Sequence, residues 1–492
     1  MRATELFEGL FSCPIPDADV RCVTERADQA VGDSVFVCVR GYRNDGHDFA
    51  ARAYENGCRI FVAERPLSLP DDACVLLCDS TRYTLGHLAC RFYGHPSHTL
   101  RVIGITGTKG KTTTAVILRD LLCACGIPCG YIGTNGIRYR EIQKQTNNTT
   151  PDAMTLQSTL ADMLHSGMQA AVIEVSSQAL MQFRAVGTQF AGVLFTNLYR
   201  DHVGEAEHPT FENYRACKHA LFTDFSSSVA IFNEDDAATS LMKEGCRADR
   251  MLGVSTDRAR RAAYTATDLT FTRDPLGLGM RFFLHTDKES HAVSLPMVGA
   301  HNVSNAMMAL ATARECFGLS LSAMLPSLQS MHTEGRAECL PLPSGALCVI
   351  DYAHNGESLR SLLTALRVYR PRRLICLFGS VGERSQLRRR ALGEVAAELA
   401  DLSILTSDNP GREDPEAIIR EISLPFEEAH KPYLVCVDRA DAIRMALSGL
   451  GDGDILVLAG KGHERYQLIG TEKRPFCERE IVLSAIADVT VR

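Results

Sequence analysis

The sequence lacks the features of a membrane-spanning or exported protein. It contains no uninterrupted apolar run of about 18 residues, the length at which a bilayer-crossing helix becomes plausible. The first residues, MRATELFEGLFSCPIPDADV, have no basic start followed by a long apolar core, which a signal peptide requires. We therefore expect a cytoplasmic protein with no membrane span.

Other absences narrow the class of function. The formal net charge of −7 argues against nucleic-acid binding, because binding to phosphate backbones needs clustered lysine and arginine. The 18 cysteines include no CxxC pair and no zinc-type spacing with histidine, which favours free thiols in a reducing compartment. Internal repeats and low-complexity segments are also absent. The sequence therefore predicts no nucleic-acid partner and no zinc site.

The composition that is present is that of an ordinary globular protein, 45% hydrophobic and 23% charged over 492 residues. Short β-branched runs alternate with helical periodicity, which predicts an α/β fold. We predict a small N-terminal α/β domain at 1–98, a central P-loop ATPase domain with a mostly parallel sheet at 99–332, and a C-terminal Rossmann-like domain at 333–492.

A glycine- and threonine-rich loop between a strand and a helix is the clearest chemical signal. It lies in the segment 100–120, LRVIGITGTKGKTTTAVILRD. Such a loop binds phosphates, since its amides point inward and the helix N-terminus adds partial positive charge. The usual pattern has an earlier glycine where this chain has Ile105, so GTKGKT is a shortened variant. We predict that Lys111 reaches the terminal phosphates of a nucleotide and that the Thr112 hydroxyl holds Mg²⁺.

Further polar residues are candidates for the same site, each with an ordinary alternative. Glu174 ends an apolar strand, where it either binds Mg²⁺ or caps the following serine-rich turn. His202, beside Asp201, is either a second metal ligand or a structural histidine. Lys218 lies in a helical stretch at 211–222, and the residue pattern alone favours a solvated surface lysine.

Polar clusters also follow the strands predicted in the C-terminal part. They lie at 351–354, 379–384, 408–410 and 460–464. Ligands in open α/β sheets bind beyond the carboxyl ends of the strands. The ends of two such sheets facing each other would form a cleft suited to joining two substrates.

Nine motifs occur in an order that resembles one enzyme family. They are GTKGKTTT, TTPDAMTL, EVSSQAL, FTNLYRDH, YRACKHALF, HNVSNAMMAL, DYAHN, TSDNPGREDP and AGKGHERYQ. Together they resemble the Mur ligases, which are ATP-dependent amino-acid ligases of peptidoglycan synthesis, over essentially the full length. Within the family the chain looks most like the members that add the third residue to UDP-N-acetylmuramoyl-L-alanyl-D-glutamate (UDP-MurNAc-L-Ala-D-Glu).

The resemblance implies roles for individual residues. The ATP-binding set is Gly107, Thr108, Lys109, Gly110, Lys111, Thr112, Thr113, Asn302 and Asn305. The Mg²⁺ set is Thr112, Glu174, His202 and a carbamate formed on Lys218, and the implied catalytic residues are Lys111, His202 and Lys218. The set that holds the UDP-linked dipeptide is Arg26, Asn148, Thr149, Thr150, Ser176, Gln182 and Arg184. The amino-acid set is Arg384, Asp408, Asn409, Arg412, Gly460 and Glu464.

The match departs from the family pattern in three places before the C-terminal part. Thr24-Glu25-Arg26 stands where the family often has Asp-Ser-Arg in its uridine site. Gln178 replaces the usual histidine after Glu-Val-Ser-Ser, and the run 201–208 differs from the common Asp-His-Leu-Asp-Tyr-His. The uridine contacts are therefore the part of the site that the resemblance defines least.

A fourth departure concerns the choice of amino acid. Relatives specific for meso-diaminopimelate have arginine directly after Asp-Asn-Pro, where this chain has Gly411 followed by Arg412. Glycine would let the backbone swing Arg412 inward, but a bidentate arginine–carboxylate pair depends on exact fork geometry. Burying a second carboxylate unpaired would cost several kcal/mol. The sequence therefore favours a diamino acid without a second carboxylate, lysine or ornithine, with its distal ammonium at Glu464.

The implied reaction has two steps. The D-Glu carboxylate attacks the γ-phosphate of ATP to give an acyl phosphate and ADP, and the amine of the third residue then displaces phosphate. One alternative is a folylpolyglutamate synthetase-like ligase, which the DNP and GKGHE motifs and the N-terminal part disfavour. The other is a catalytically silent nucleotide-binding module that regulates a partner, which the intact Lys111, Glu174 and Lys218 disfavour.

Overall fold

The fold of the chain was analysed in a computed structural model. It describes residues 1–41, 44–201, 203–204, 207–274, 277–329, 331, 335–383 and 386–490. The chain divides into two compact units, the first comprising 1–255, 260–263 and 308–321, and the second 256–259, 264–307 and 322–492. Both units are α/β with mostly parallel sheets, which confirms the predicted fold class. The domain boundaries at 98 and 332 stay predictions.

The N-terminal part of the first unit is a small parallel sheet with helices packed on it. Its elements are α1 (Ala3–Leu6), β1 (Cys22–Thr24), β2 (Ser34–Val37), α2 (Ala50–Glu55), β3 (Ile60–Ala63), β4 (Cys74–Leu77) and α3 (Thr81–Phe92). The strand order is β1-β2-β3-β4, and every pair is parallel. The inner strands β2 and β3 are buried along their whole length, as expected for strands covered on both faces.

The rest of the first unit is built on a larger sheet that carries the phosphate loop. Its elements are β5 (Arg101–Thr106), α4 (Lys111–Ala124), β6 (Cys129–Gly133), β7 (Gly136–Tyr139), β8 (Ile142–Lys144), α5 (Ala153–His165), β9 (Ala170–Glu174), α6 (Ser177–Met181), β10 (Phe190–Phe195), α7 (Phe211–Thr223), β11 (Ser227–Asn233), α8 (Thr239–Lys243) and β12 (Ala248–Ser255). The order within this unit is β12-β11-β10-β5-β9-β6-β7-β8, parallel from β12 to β6 and antiparallel beyond. Strand β5 lies between β9 and β10, so the carboxyl ends of all three meet at one edge.

Helix α7 presents one buried face to this sheet. Tyr214, Lys218, Leu221 and Phe222 are its buried residues, and spacings of three, four and seven place them on one side of a helix. Phe222 packs edge-on against Phe195 at 6.4 Å and tilted against Phe232 at 5.0 Å between ring centroids. Because these contacts fix the rotation of the helix, Lys218 points into the protein.

The second unit contains an antiparallel sheet, a parallel sheet and a hairpin. The elements from residue 264 onward are β13 (Tyr264–Asp274), β14 (Gly277–His285), β15 (Ser290–Leu295), α9 (His301–Phe317), α10 (Leu321–Leu328), β16 (Glu338–Pro341), β17 (Leu347–Asp351), α11 (Gly356–Arg367), β18 (Leu374–Phe378), α12 (Gln386–Leu399), β19 (Leu402–Leu405), α13 (Pro415–Glu428), β20 (Tyr433–Val435), α14 (Arg439–Ser448), β21 (Ile455–Ala459), β22 (Tyr466–Ile469), β23 (Glu472–Pro475) and α15 (Glu478–Thr490). Strands β13, β14 and β15 pair antiparallel in this order. The six-stranded sheet has the order β16-β17-β21-β18-β19-β20, parallel except for β16. Among the described helices, none is both long and apolar enough to cross a membrane.

A fully buried ion pair joins helices α14 and α15 beneath the parallel sheet's carboxyl edge. The side chains of Arg439 and Glu478 are both 0% exposed and lie 2.8 Å apart. Arg439 also donates to the Ala459 carbonyl at 2.8 Å and to the Ser407 carbonyl at 3.4 Å. Burial raises the pKa of Glu478, while Arg439 opposes that shift. Removing the arginine would therefore leave a carboxyl group buried without its cation.

We expect Arg439→Met to lower the stability of the second unit by about 3–5 kcal/mol, as measured for buried pairs that lose one partner. In scanning calorimetry this corresponds to a fall of about 10 °C in the midpoint of the affected transition. Arg444→Met is the matched control, because Arg444 lies on the same helix with 61% of its side chain exposed and should change the midpoint little. Equal midpoints for the two variants would contradict a stabilising role for the pair.

Candidate active site

The phosphate loop joins β5 to α4 and takes its shape from two glycines. Gly107 has φ 149° and Gly110 has φ 83°, values that other residues rarely adopt. A Cβ atom on Gly107 would overlap the hydroxyl of Thr196. Glycine at this position therefore allows the loop to lie directly against the end of β10.

Hydrogen bonds from the neighbouring strand end hold the loop in place. The amides of Thr108 and Lys109 donate to the main-chain and side-chain oxygens of Asn197, at 2.9 and 2.8 Å. The hydroxyl groups of Thr108 and Tyr214 lie 2.9 Å apart, which links the loop to α7. The loop is thus preorganised, so binding of a phosphate would require little rearrangement.

Two lysine side chains converge on one carbonyl of this loop. Lys111 Nζ donates to the Gly107 oxygen at 2.7 Å and to the Thr108 oxygen at 3.0 Å. Lys218 Nζ donates to the same Gly107 oxygen at 2.8 Å, and Lys218 is only 1% exposed. Burial, reinforced by the charge of Lys111, holds the pKa of Lys218 well below its usual value. The interpretation of Lys218 as a solvated surface lysine was therefore wrong.

Glu174, at the end of β9, is completely buried and has both carboxylate oxygens hydrogen-bonded. Oε2 accepts from the hydroxyls of Thr112 at 2.9 Å and Thr134 at 3.2 Å. Oε1 accepts from the Tyr131 hydroxyl at 2.5 Å and the Thr134 amide at 3.0 Å. The cap of the next helix is Ser176, so the alternative of Glu174 as that cap was wrong. Hydroxyl and carboxylate oxygens together fit the hard ligands that Mg²⁺ prefers.

Four of the residues implied to hold the UDP-linked dipeptide lie together beside Glu174. The Thr150 hydroxyl donates to the Glu174 carbonyl at 2.7 Å and accepts from the Ser176 amide at 3.0 Å. Arg184 donates to the Thr150 carbonyl at 2.6 Å and to Gln182 Oε1 at 2.7 Å. The cluster therefore places polar groups next to Glu174, whose carboxylate accepts from Thr112 at the start of α4.

The other predicted dipeptide-binding residues are less tightly placed. The hydroxyls of Thr149 and Thr134 lie 3.2 Å apart, which brings Thr149 to the same strand end, and Asn148 is exposed. Arg26 forms a surface ion pair with Asp28 at 2.8 Å. The role of Arg26 toward uridine stays a prediction.

In the second unit, four of the residues predicted to bind the incoming amino acid lie together at the carboxyl ends of β19 and β21: Asp408, Asn409, Gly460 and Glu464. Asp408 and Asn409 are buried, and Asn409 Nδ2 donates to Glu464 Oε2 at 2.9 Å. Gly460 has φ 114°, and a Cβ there would come within 2.7 Å of Asp408 Oδ2. The residues after the two strands thus form one polar cluster.

The segment that follows Asn409 places Arg412 at the surface. Gly411 has φ 60° and is tied to the β22–β23 hairpin, because its amide donates to the Leu468 carbonyl at 3.1 Å and its carbonyl accepts from the Gly470 amide at 2.6 Å. The side chain of Arg412 is exposed. A side chain other than glycine would be strained at position 411 in this conformation.

The remaining predicted residues are Asn302, Asn305, His202 and Arg384. Asn302 and Asn305 are buried in the first turns of α9, where Asn305 Nδ2 donates to Asn302 Oδ1 at 2.8 Å. These two asparagines belong to the second unit. His202 and Arg384 lie outside the described residues, so their roles stay predictions.

Comparison with known proteins then decides the family. A curated protein of Geobacillus kaustophilus named UDP-N-acetylmuramoyl-L-alanyl-D-glutamate–2,6-diaminopimelate ligase is 35% identical over 463 residues, which is 92% of each chain. The chain belongs to the Mur ligase family. Three family models match this Mur ligase: the Mur ligase family catalytic domain at 23–93, the Mur ligase middle domain at 105–313, and the Mur ligase glutamate ligase domain at 335–462.

Further relatives of the Mur ligase are similar over nearly its whole length. The protein of the same name from Chlorobaculum tepidum is 37% identical over 484 residues, 96% of this chain and 92% of its own. A solved structure of a UDP-N-acetylmuramoyl-L-alanyl-D-glutamate–2,6-diaminopimelate ligase superposes with a TM-score of 0.75 at 29% identity, covering 100% of this chain and 99% of the other. The resemblance drawn from the nine motifs is confirmed.

Two buried residues of this Mur ligase, Tyr131 and His208, were not among the predicted site residues. Tyr131 was not considered, although its hydroxyl is one of the groups that hold Glu174. His208 is fully buried, and its ring nitrogens lie 2.9 Å from the Ser177 hydroxyl and 2.8 Å from Asn213 Oδ1. The final histidine of the family run at 201–208 was the available signal for His208, whereas no local signal marked Tyr131.

Proposed function

We propose that this Mur ligase adds 2,6-diaminopimelate to UDP-MurNAc-L-Ala-D-Glu and converts ATP to ADP and phosphate. The relatives that match over more than nine-tenths of the chain carry the name of this reaction. The observation that carries the proposal in the molecule itself is the convergence of Lys111 and Lys218 on the phosphate loop beside Glu174. A nucleotide-linked precursor and ATP as substrates suit a cytoplasmic enzyme of cell-wall synthesis.

Charge compensation is the first task of the proposed site. A carboxylate and a triphosphate repel each other, so their approach requires cationic groups or metal ions. The ammonium of Lys111, at the start of α4, would turn from the Gly107 carbonyl to the terminal phosphates. Mg²⁺ would be held by Thr112, Glu174, His202 and a carbamate on Lys218, and when bound it would neutralise phosphate charge.

The second task is to bring the reactants together. The cluster of Thr150, Ser176, Gln182 and Arg184 beside Glu174 would hold the D-Glu carboxylate near the γ-phosphate. Orienting reactants in this way contributes roughly 7–11 kcal/mol in well-matched intramolecular reactions. Attack of the carboxylate would give the acyl phosphate and ADP, and attack by the amine of the third residue would release phosphate.

The identity of the third residue requires a revision of the sequence interpretation. The displaced arginine favoured lysine or ornithine, but the relatives are named for diaminopimelate. Arg412 is exposed and lies one residue beyond the tight Gly411 turn, so its side chain is available to turn toward a ligand. We therefore propose diaminopimelate, with Arg412 as the partner of its second carboxylate.

In a competition among meso-diaminopimelate, L-lysine and L-ornithine, we expect meso-diaminopimelate to be ligated with a kcat/KM at least about a hundredfold higher. Arg412→Ala should remove most of this preference, because the second carboxylate would lose its bidentate partner. Products are quantified by mass spectrometry from one reaction mixture.

Arg420→Ala is the matched control for Arg412→Ala. Arg420 lies nearby on α13 with 66% of its side chain exposed, and its loss should not change the preference. Lysine or ornithine winning the competition would restore the original interpretation of the sequence. A preference for meso-diaminopimelate that survives in Arg412→Ala would assign the second carboxylate to another residue.

ADP release tests the activity itself against the alternatives. The proposal expects ADP release to require both UDP-MurNAc-L-Ala-D-Glu and the amino acid. Release that depends on a folate and glutamate would indicate a folylpolyglutamate synthetase-like ligase. Nucleotide binding without turnover under any of these conditions would indicate a silent regulatory module.

A further inference from the structure

Lys461 is a lysine whose entire side chain is inside the second unit. It is 0% exposed, and Nζ lies 3.0 Å from Asn409 Oδ1, 3.0 Å from Glu464 Oε2 and 3.5 Å from Asp408 Oδ1. An ammonium has three N–H donors, and three acceptors surround this one. A buried cation is tolerated only when it is paired and hydrogen-bonded, so the cluster holds the amine at a fixed position.

Two aromatic rings close the site around the ammonium. Nζ lies 5.7 Å from the ring centroid of Tyr466 and 5.9 Å from that of Phe476. Rings at this distance attract a cation weakly and exclude water. The ammonium of Lys461 therefore cannot exchange its protein partners for solvent without displacing these rings.

The orientation of Asn409 and Glu464 depends on this ammonium. Asn409 Oδ1 accepts from Lys461 and from the Leu468 amide at 2.9 Å. The opposite end of the same amide, Nδ2, donates to Glu464 Oε2 at 2.9 Å. Lys461 and the Leu468 amide together fix which way the Asn409 amide faces, and Lys461 also holds the Glu464 side chain, which is 17% exposed, at the rim of the cluster.

The charges in the cluster do not cancel. Two carboxylates, Asp408 and Glu464, face one ammonium, Lys461, so this trio contains one more acidic group than basic group. Interactions of such a charge are stronger in a partly buried site than in water. A ligand with a positive group would complete the balance, whereas a ligand without one would leave the negative charge buried and unpaired.

We propose that Lys461 is a positioning residue that makes the cluster of Asp408, Asn409 and Glu464 select amino acids with a second ammonium group. The inference rests on the proposed function, because it assigns a specificity to the amino-acid pocket of that reaction. Lys461 itself does not touch the substrate. It holds Asn409 and Glu464 in position and offsets part of the carboxylate charge beside which the second ammonium would bind.

The test replaces Lys461 by methionine, an unbranched side chain that is one heavy atom shorter and has no ammonium. We expect the KM for meso-diaminopimelate to rise at least about thirtyfold, because Glu464 loses the cation that holds it and Asn409 loses one of the two donors that orient its amide. Formation of the acyl phosphate, trapped with hydroxylamine in the absence of amino acid, should stay within about threefold of the wild type. The KM for ATP should also be unchanged.

A matched control and a second substrate make the outcome specific. Lys473→Met removes an exposed lysine of the β22–β23 hairpin that lies 4.4 Å from the Tyr466 ring and should change neither constant. L-2-aminopimelate has both carboxylates and the reacting amine but no second ammonium. We expect the wild type to use it at least about a hundredfold less efficiently than meso-diaminopimelate, and Lys461→Met to reduce this ratio to below about tenfold.

The outcomes distinguish a failure of the role proposed for Lys461 from a failure of the proposed ligase activity. An unchanged or lower KM for meso-diaminopimelate in Lys461→Met would overturn the positioning role. If Lys461 only neutralised carboxylate charge, removing it would strengthen the binding of a second ammonium and lower that KM. If Lys461→Met does not fold, the wild type alone decides, because comparable use of L-2-aminopimelate and meso-diaminopimelate would overturn the selection. Absence of any amino-acid-dependent ADP release by the wild type would instead overturn the proposed function.

Discussion

Lys111→Ala is expected to lower kcat for ligation by about a thousandfold or more, equivalent to about 4 kcal/mol of transition-state stabilisation. The ammonium of Lys111 lies on the phosphate loop, 2.7 Å from the Gly107 carbonyl and 3.0 Å from that of Thr108. Its loss would remove the cation that the proposed mechanism brings to the terminal phosphates. ADP release with saturating substrates measures the effect.

An exposed lysine provides the control for this variant. Lys288→Ala removes a charge of the same sign from a surface turn of the β14–β15 connection and should leave turnover unchanged. A loss of less than about tenfold in Lys111→Ala, or about 1.4 kcal/mol, would mean that the phosphate loop does not have the central role proposed for it.

Lys218→Ala is expected to lose about a hundredfold or more of its turnover and to regain part of it when acetate or propionate is added. Carbamate formation needs a neutral amine, and burial favours that form because it lowers the pKa of Lys218 far below the usual value. The carbamate would turn a cation into an anionic oxygen ligand for Mg²⁺. A small carboxylic acid diffusing into the space left by the side chain would supply similar oxygens.

The rescue has its own control in Lys111→Ala. A carboxylate cannot replace a lost ammonium, so acetate should not restore turnover to that variant. Activity of Lys218→Ala at the wild-type level without added acid would remove the metal-ligand role. Failure of acids to rescue an inactive variant would indicate that the amine itself, bonded to the Gly107 carbonyl at 2.8 Å, is what the loop requires.

Many of the strands and helices were predicted from the sequence because their signals are local. In the sequence, the apolar runs at 170–175, 347–351 and 454–459 are each typical of a strand, and they coincide with β9, β17 and β21 to within one residue. Strands β6–β8 were missed, because glycine at 130, 133 and 136 weakens the strand signal. The exposed, largely charged β23 likewise carries no apolar alternation, so the hairpin with β22 was not predicted.

The residues of the phosphate loop and the carboxylate at the end of β9 were also local signals. A glycine-rich turn between strand and helix and a polar residue after a buried strand are features of short segments. Their proximity followed from the rule that the carboxyl ends of adjacent parallel strands share one edge. The sequence by itself therefore determined the α/β class, the motif order that resembles the Mur ligases, and the candidate roles of Lys111, Thr112 and Glu174.

Only the tertiary structure decided the state of the two buried lysines. In the sequence, nothing next to Lys218 on its helix or Lys461 after its strand indicates that either lysine is buried. Their burial comes from groups far away along the chain, the Gly107 carbonyl for Lys218 and Asn409 for Lys461. Desolvation and pairing depend on every atom that surrounds a charge, and that environment does not exist until distant segments have packed together.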